Sequence, residues 1–182
     1  MTDFNSSEHI NAGYLAYCGG NFDSAIAEYS IALSIDSSNY HDWSDRGYFY
    51  FLKGSYQEAI DDYTQAIKLA PFVADLYSKR GNARFESRDK QGAIDDYTQA
   101  IKLNPSSGYP YYRRGIVHES IMSYQSAIDD YTQAIKLAPQ KKVFWLKHAF
   151  DLRGQVHLLL NKVAEAREDF LAAQAAQAAQ NK

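Results

Sequence analysis

Apolar and polar positions along this chain repeat with the period of a helix, and they do so in a block that returns. Ala59, Ile60, Tyr63, Ala66, Ile67 and Ala70 fall at i, i+1, i+4, i+7, i+8 and i+11, a single apolar stripe at helical spacing. Asp61, Asp62, Thr64, Gln65 and Lys68 take the opposite face. The eleven residues Ala-Ile-Asp-Asp-Tyr-Thr-Gln-Ala-Ile-Lys-Leu that begin at Ala59 begin again at Ala93 and Ala127, 34 residues apart each time. Each copy meets a proline two residues after its leucine, at Pro71, Pro105 and Pro139. The early acids and late lysine suit the helix macrodipole, and the proline ends the helix. So short a helix is marginal alone in water, and the pattern therefore predicts a partner helix.

The other part of each period supplies it. Tyr40 to Lys53 places Trp43, Gly47 and Tyr50 on one face, before a Gly54-Ser55 turn. Glycine inside a helix costs about 1 kcal/mol against alanine, so Gly47 marks a close approach of two helices. Each unit is expected to be a helical hairpin, at about 6–39, 40–73, 74–107 and 108–141. The first is degenerate: Gly13, Ala25, Tyr29 and Ala32 keep the register, His9 replaces the tryptophan, Ser37 replaces the proline, and Gly19-Gly20-Asn21 forms the turn. At the other end Phe150, Arg153-Gly154, His157, Ala166, Phe170 and Ala173 reproduce the pattern, with Ala166 lying 39 residues after Ala127. That predicts a degenerate fifth unit at 147–180 after an insertion at 140–146. The stretch Gln140 to Lys147, with Phe144 and Trp145, reads either as a lengthened first helix or as a packed connection. The Ala-Ala-Gln run from Gln174 to Gln180 extends the last helix and caps the stack.

On these residues the chain resembles the tetratricopeptide repeat family. The pattern of Trp, Leu-Gly, Tyr, Ala, Phe/Tyr, Ala and Pro within 34 residues is matched by Trp43, Arg46-Gly47, Tyr50, Ala59, Tyr63, Ala66 and Pro71. It is matched again by Tyr77, Arg80-Gly81, Arg84, Ala93, Tyr97, Ala100 and Pro105, and by Tyr111, Arg114-Gly115, His118, Ala127, Tyr131, Ala134 and Pro139. Arginine stands where the family has leucine, and Arg84 and His118 stand where it has tyrosine. The resemblance implies an all-α, right-handed superhelical solenoid of tandem helix-turn-helix hairpins, a single domain over residues 1–182. It further implies that first helices line a concave groove, that the repeated blocks form the convex back, and that the protein is an interaction scaffold or adaptor holding an extended peptide or a partner helix.

The family's groove positions carry over by offset to Tyr14 and Tyr17 in the first unit, and to His41, Ser44, Tyr48 and Phe51 in the second. The third offers Asp75, Ser78, Lys79, Asn82 and Phe85, and the fourth Tyr109, Tyr112, Arg113, Ile116 and Glu119. Aromatic side chains beside a few polar ones suit peptide recognition; the competing reading is that half of these tyrosines pack between hairpins. Lys79, Asn82 and Arg113 match positions with which chaperone-binding relatives clamp a C-terminal carboxylate. Ser78 and Tyr109 stand where that clamp has lysines, which argues against a clamp of that kind. A weakly basic groove centre, Lys79 and Arg113, against a back rich in Asp61-Asp62, Asp95-Asp96 and Asp129-Asp130 leads us to expect a partner that is acidic or ends in a free carboxylate. Arg80 and Arg114 read as solvated or packed against the neighbouring hairpin.

Composition narrows the alternatives. The 182 residues carry a net charge of −3 and are 46% hydrophobic, the mark of an ordered chain. Lys79, Arg84, Arg88 and Arg113 are interleaved with aromatics that can stack on bases, yet no long stretch is dominated by basic residues, which removes most of the counterion-release force behind nucleic-acid binding. His9, His41, His118, His148 and His157 are scattered, and His118-Glu119 has Met122 where a zinc-protease spacing needs histidine. Adjacent carboxylates such as Asp61-Asp62 diverge by about 100° on a helix. No catalysis, cofactor or metal site is expected, and the shared repeat position of His118 and His157 suggests packing. Cys18, the single cysteine, cannot form an intrachain disulfide and reads as a small, partly buried side chain. Met1 to Ser7 has no signal-like run, and no stretch reaches membrane-spanning length, so a cytoplasmic protein that contacts no membrane is expected; the glycosylation sequon Asn5-Ser6-Ser7 is then fortuitous. The alternative function is a self-associating structural module, a homodimer formed through the uncapped first hairpin or the Phe144-Trp145 segment.

Overall fold

The computed structural model describes residues 5–138 and 143–180, and among these it contains helices and no strand. In order they are α1 (Ser6–Cys18), α2 (Phe22–Ile35), α3 (Tyr40–Leu52), α4 (Tyr56–Leu69), α5 (Ala74–Glu86), α6 (Lys90–Leu103), α7 (Gly108–Ser120), α8 (Tyr124–Leu137), α9 (Phe144–Leu159) and α10 (Val163–Gln180). The repeated block is thus the body of α4, α6 and α8. Helices α4 and α6 end at Leu69 and Leu103, just before Pro71 and Pro105. Pro139 and the first residues of the expected insertion, to Lys142, lie outside the described residues. From Phe144 on, the lengthened-helix reading is what is seen: α9 has 16 residues against 13 in α7. The last helix likewise runs for 18 residues, to Gln180.

The chain divides into two compact units, one up to Asp96 and one from Tyr97. In the first, Ala25, Tyr29 and Phe49 form one core cluster, Ala59, Tyr63 and Ala83 a second, and Ala66, Ile67 and Leu76 a third. Gly47 lets α3 meet α4: a Cβ there would stand 3.1 Å from the Tyr63 ring. In the second unit Tyr112, Ala127, Tyr131, Trp145 and Val156 share one core. A Cβ on Gly115 would come within 2.7 Å of the Tyr131 ring. In both of these hairpins the glycine of the first helix is therefore the seat of the aromatic of its own second helix.

The turn inside each hairpin is the same structure built from different residues. In the second hairpin the Ser55 amide donates to the Tyr50 carbonyl across a left-handed Gly54 (φ 79°), a Schellman closure of α3. Ser123 to His118 and Lys162 to His157 repeat it, but there the left-handed position is held by Met122 (φ 60°) and Asn161 (φ 58°).

One expectation is corrected here. Asp61 and Asp62 do not share a solvated face: the Asp61 carboxylate accepts from Gln57 on the surface, whereas Asp62 is buried, as are Asp96, Asp130 and Asp169. A helix rotates by about 100° per residue, enough to send one acid of each pair to solvent and the other inward. Of the two readings of Arg80 and Arg114, solvated or packed against the neighbouring hairpin, the structure has the second. Arg80 forks onto Asp96 at 2.9 and 2.7 Å and gives its remaining nitrogen to Thr64, in the preceding hairpin, at 3.1 Å. Arg46 does the same with Asp62 and Ser30, Arg114 with Asp130 and Thr98, and Arg153 with Asp169 and Thr132. Each guanidinium also lies over an aromatic ring, that of Trp43, Tyr77, Tyr111 or Phe150. The arginine that replaces the family's leucine is thus a clasp, joining its own hairpin by a bidentate charge pair and the preceding one by a single hydrogen bond.

Candidate protein-interaction surface

In the first unit the aromatic candidates come together. Tyr17 of α1 packs on Phe49, with ring centroids 5.1 Å apart, and on Phe22 at 6.2 Å. Tyr14 and Tyr48 flank it at 6.3 and 6.1 Å. Tyr14 is 57% exposed and Tyr48 38% exposed, so a floor of buried Phe49 and half-buried Phe22 presents two accessible tyrosines around a half-buried third. Phe51 is turned partly inward against Tyr56, at 5.6 Å. His41 is exposed at the start of α3 with its ring 4.0 Å from that of Tyr40.

The polar candidates of this unit behave differently. Ser44 and Ser78 are buried, and Ser78 Oγ returns to its own helix at the Ala74 carbonyl, 3.5 Å away. Both are short side chains at helix-facing positions and present no surface. Lys79 donates to Ser44 Oγ at 3.1 Å and pairs with Asp75 at 3.1 Å. Asp45 stands nearby, accepting from the Tyr29 hydroxyl at 3.3 Å; burial pushes its carboxyl up, against the opposing pull of Lys79. The expected basic centre at Lys79 is therefore a balanced polar node in which the cation is already engaged by an acid. Asn82 and Phe85 are half-buried on α5.

In the second unit Tyr112 is buried and stacks on Trp145 at 5.6 Å, with Tyr109 beside it at 6.3 Å. Tyr112 is packing, as the competing reading had it, and Ile116 packs against the same core. Arg113 is half-buried, its Nε 3.3 Å from the Tyr97 hydroxyl. Glu119 accepts from Tyr131 at 2.7 Å, an interhelical bond rather than a free carboxylate. Cys18 is exposed, not partly buried. His118 and His157 do more than pack: each places Nδ1 3.0 Å from the buried aspartate of its hairpin, Asp130 or Asp169. That role was hidden in sequence, although an arginine followed 16 residues later by an aspartate, four times over, was the available sign.

Sequence profiles of the tetratricopeptide repeat match residues 74–107 and 109–141, and a further TPR-repeat profile matches 47–87. The chain belongs to the tetratricopeptide repeat family. Its fold is the all-α tandem-hairpin fold of that family. Among solved structures, a crystal structure of MamA shares 28% identity at a TM-score of 0.83, covering 91% of this chain and 94% of that one. MamA from Desulfovibrio magneticus RS-1 is alike in fold at 15% identity, with a TM-score of 0.86 and 97% coverage of both chains. The first tetratricopeptide domain of Spaghetti (RPAP3), solved with the HSP90 peptide SRMEEVD, shares 28% identity and a TM-score of 0.62 over 69% of this chain and 96% of that one. No curated protein matches the sequence significantly. Among the described residues of this repeat protein, no helix is long and apolar enough to cross a membrane.

Proposed function

We propose that this repeat protein is an interaction scaffold whose first helices hold an extended peptide or a partner helix, by binding and without catalysis. The observation that carries the proposal is the tyrosine surface of Tyr14, Tyr17 and Tyr48, accessible aromatic area held rigid by Phe22 and Phe49. Rigid aromatic side chains lose little conformational entropy on contact and dominate interface energetics. The division between near-identical second helices and diverse first helices agrees with a binding role for the latter. The use of the acids supports binding over catalysis: Asp62, Asp96, Asp130 and Asp169 hold clasp arginines, and Asp61 and its equivalents point away from them. For the partner's chemistry, Arg113 favours a segment that is acidic or ends in a free carboxylate, and the Spaghetti domain is a relative solved with a peptide of that chemistry.

A panned library of random peptides with free C-termini tests both parts. Peptides retained by the wild type and released by a Tyr14→Ala, Tyr48→Ala double variant are expected, enriched in acidic residues and bound at least about tenfold more weakly by Arg113→Glu. Equal retention by wild type and double variant would remove the tyrosine surface as the site. Peptides without acidic enrichment would remove the charge preference alone.

A further inference from the structure

Within each unit, one hairpin joins the next through a plug from the following first helix. Phe49 of α3 enters the cluster of Ala25 and Tyr29, Ala83 of α5 that of Ala59 and Tyr63, and Val156 of α9 that of Ala127 and Tyr131. All three plugs are buried. One period before Phe49 stands Leu15 of α1, and it is 70% exposed. Leu15 has the position and chemistry of a plug and no socket among the described residues.

A socket of the same construction lies open on α9 and α10. Ala166 and Phe170, one period beyond Ala127 and Tyr131, line an apolar depression of about 370 Å³ together with Leu158, Val163 and Leu171. Those three leucine and valine side chains are exposed, Leu171 by 56%. Outward faces of terminal repeats are ordinarily polar, and a contiguous apolar depression marks a surface that is covered in use.

The clasp identifies what covers it. At every described junction an arginine of the following hairpin donates to a serine or threonine of the preceding one, as Arg153 does to Thr132. One period beyond Thr132 the residue is Leu171, and one period before Arg46 it is Ala12. The acceptor has become apolar on the outer face of the last hairpin, and the donor has become apolar on the outer face of the first. Neither half could satisfy a clasp partner, but each fits the other. The register extends to a third pair: Leu76 packs on Ile67, and the equivalents of these two positions are Glu8 and Gln174, an acceptor opposite an amide donor.

We propose that the α9–α10 face binds a second copy of this chain, head to tail, with Leu15 of one copy in the socket floored by Ala166 and Phe170 of the other and Ala12 against Leu171. The contact continues, between copies, the junction that already joins hairpins within each unit. It is heterologous: a pair of copies keeps one free plug and one free socket, so assembly goes past the dimer. It uses residues other than the tyrosine surface, and either reading stands if the other fails.

Sedimentation velocity over a range of concentrations tests it with the full chain. The wild type is expected to grow beyond a dimer as concentration rises. Leu15→Asp, which lacks the plug, and Leu171→Asp, which lacks a working socket, are each expected to associate more than about tenfold more weakly and to sediment as monomers. Mixed together they should pair one to one and stop there, because the intact plug of the second fills the intact socket of the first. Both substitutions are at exposed positions, and thermal melts confirm folding; Leu15→Ser and Leu158→Ser replace them if a melt is lowered. A wild type that stays monomeric, variants that assemble like the wild type, or monomeric variants that do not pair on mixing would each overturn the proposal.

Discussion

The second and fourth hairpins carry the same eleven-residue block, yet its buried aspartate behaves differently in the two. Asp62 is held by Arg46 alone; burial dominates and pushes its carboxyl above the ordinary range, against the hydrogen bonds from Arg46. At Asp130 burial pushes the same way, but hydrogen bonds from His118 and Arg114 together outweigh it and hold the carboxyl below the ordinary range. The difference comes from one position of the first helix, Tyr50 in one hairpin and His118 in the other. Identical local sequence thus acquires opposite electrostatic character from a side chain 12 residues away on another helix.

The strongest way to break this comparison is to remove the acid. Asp130→Ala leaves the Arg114 guanidinium buried without its carboxylate, a loss of about 3–5 kcal/mol by the usual cost of breaking a buried pair. Chemical denaturation should show it as a lower midpoint, and an unchanged midpoint would mean that water replaces the acid at no cost. A sharper and smaller change converts the fourth hairpin to the second. His118→Tyr removes one charge-assisted hydrogen bond and should cost about 1.5–3 kcal/mol, while raising the Asp130 carboxyl above its ordinary value.

The pH dependence then changes sign. In the wild type, the stability from ionised Asp130 is fully present above the ordinary carboxylate value and is lost as pH falls through the lowered folded-state value. In the variant, as at Asp62, the contribution is present below the ordinary value and is lost as pH rises through the raised one. Carboxyl titration of Asp62 and Asp130 by NMR, before and after the substitution, reads this directly; unaltered titration of Asp130 would show that Arg114 alone sets it. The smallest expected effect is in the turns, where Gly54 of the second hairpin faces Met122 of the fourth. Met122→Gly relieves a left-handed non-glycine residue and should stabilise by about 1 kcal/mol, seen as a raised thermal midpoint; a lowered one would show that the exposed Met122 side chain contributes more than its backbone strain costs.

Much of this architecture was legible in the residues. The apolar stripe of Ala59, Tyr63 and Ala66 places all three in the core, where they are found buried. Gly47 marks a point of close approach, and the Tyr63 ring fills it. The candidate surface was less legible. An offset marks a position on a helix but not whether the neighbouring hairpin covers it, and so Tyr14 and Tyr112, both candidates, end as exposed and buried respectively. The Trp145 ring that covers Tyr112 comes from the stretch where the repeat register is interrupted.

By itself, then, the sequence determined the hairpins, their 34-residue register and the small-against-aromatic contacts inside them, because helical period and glycine placement are local properties of the chain. Only the tertiary structure decided which acid of each pair turns inward, that Arg46, Arg80, Arg114 and Arg153 are clasps, that Lys79 is engaged by Asp75, and that Leu15 is left exposed. Charge pairing and burial depend on what stands across a few ångströms of space, and in a repeat protein that neighbour belongs to another helix or to the next hairpin.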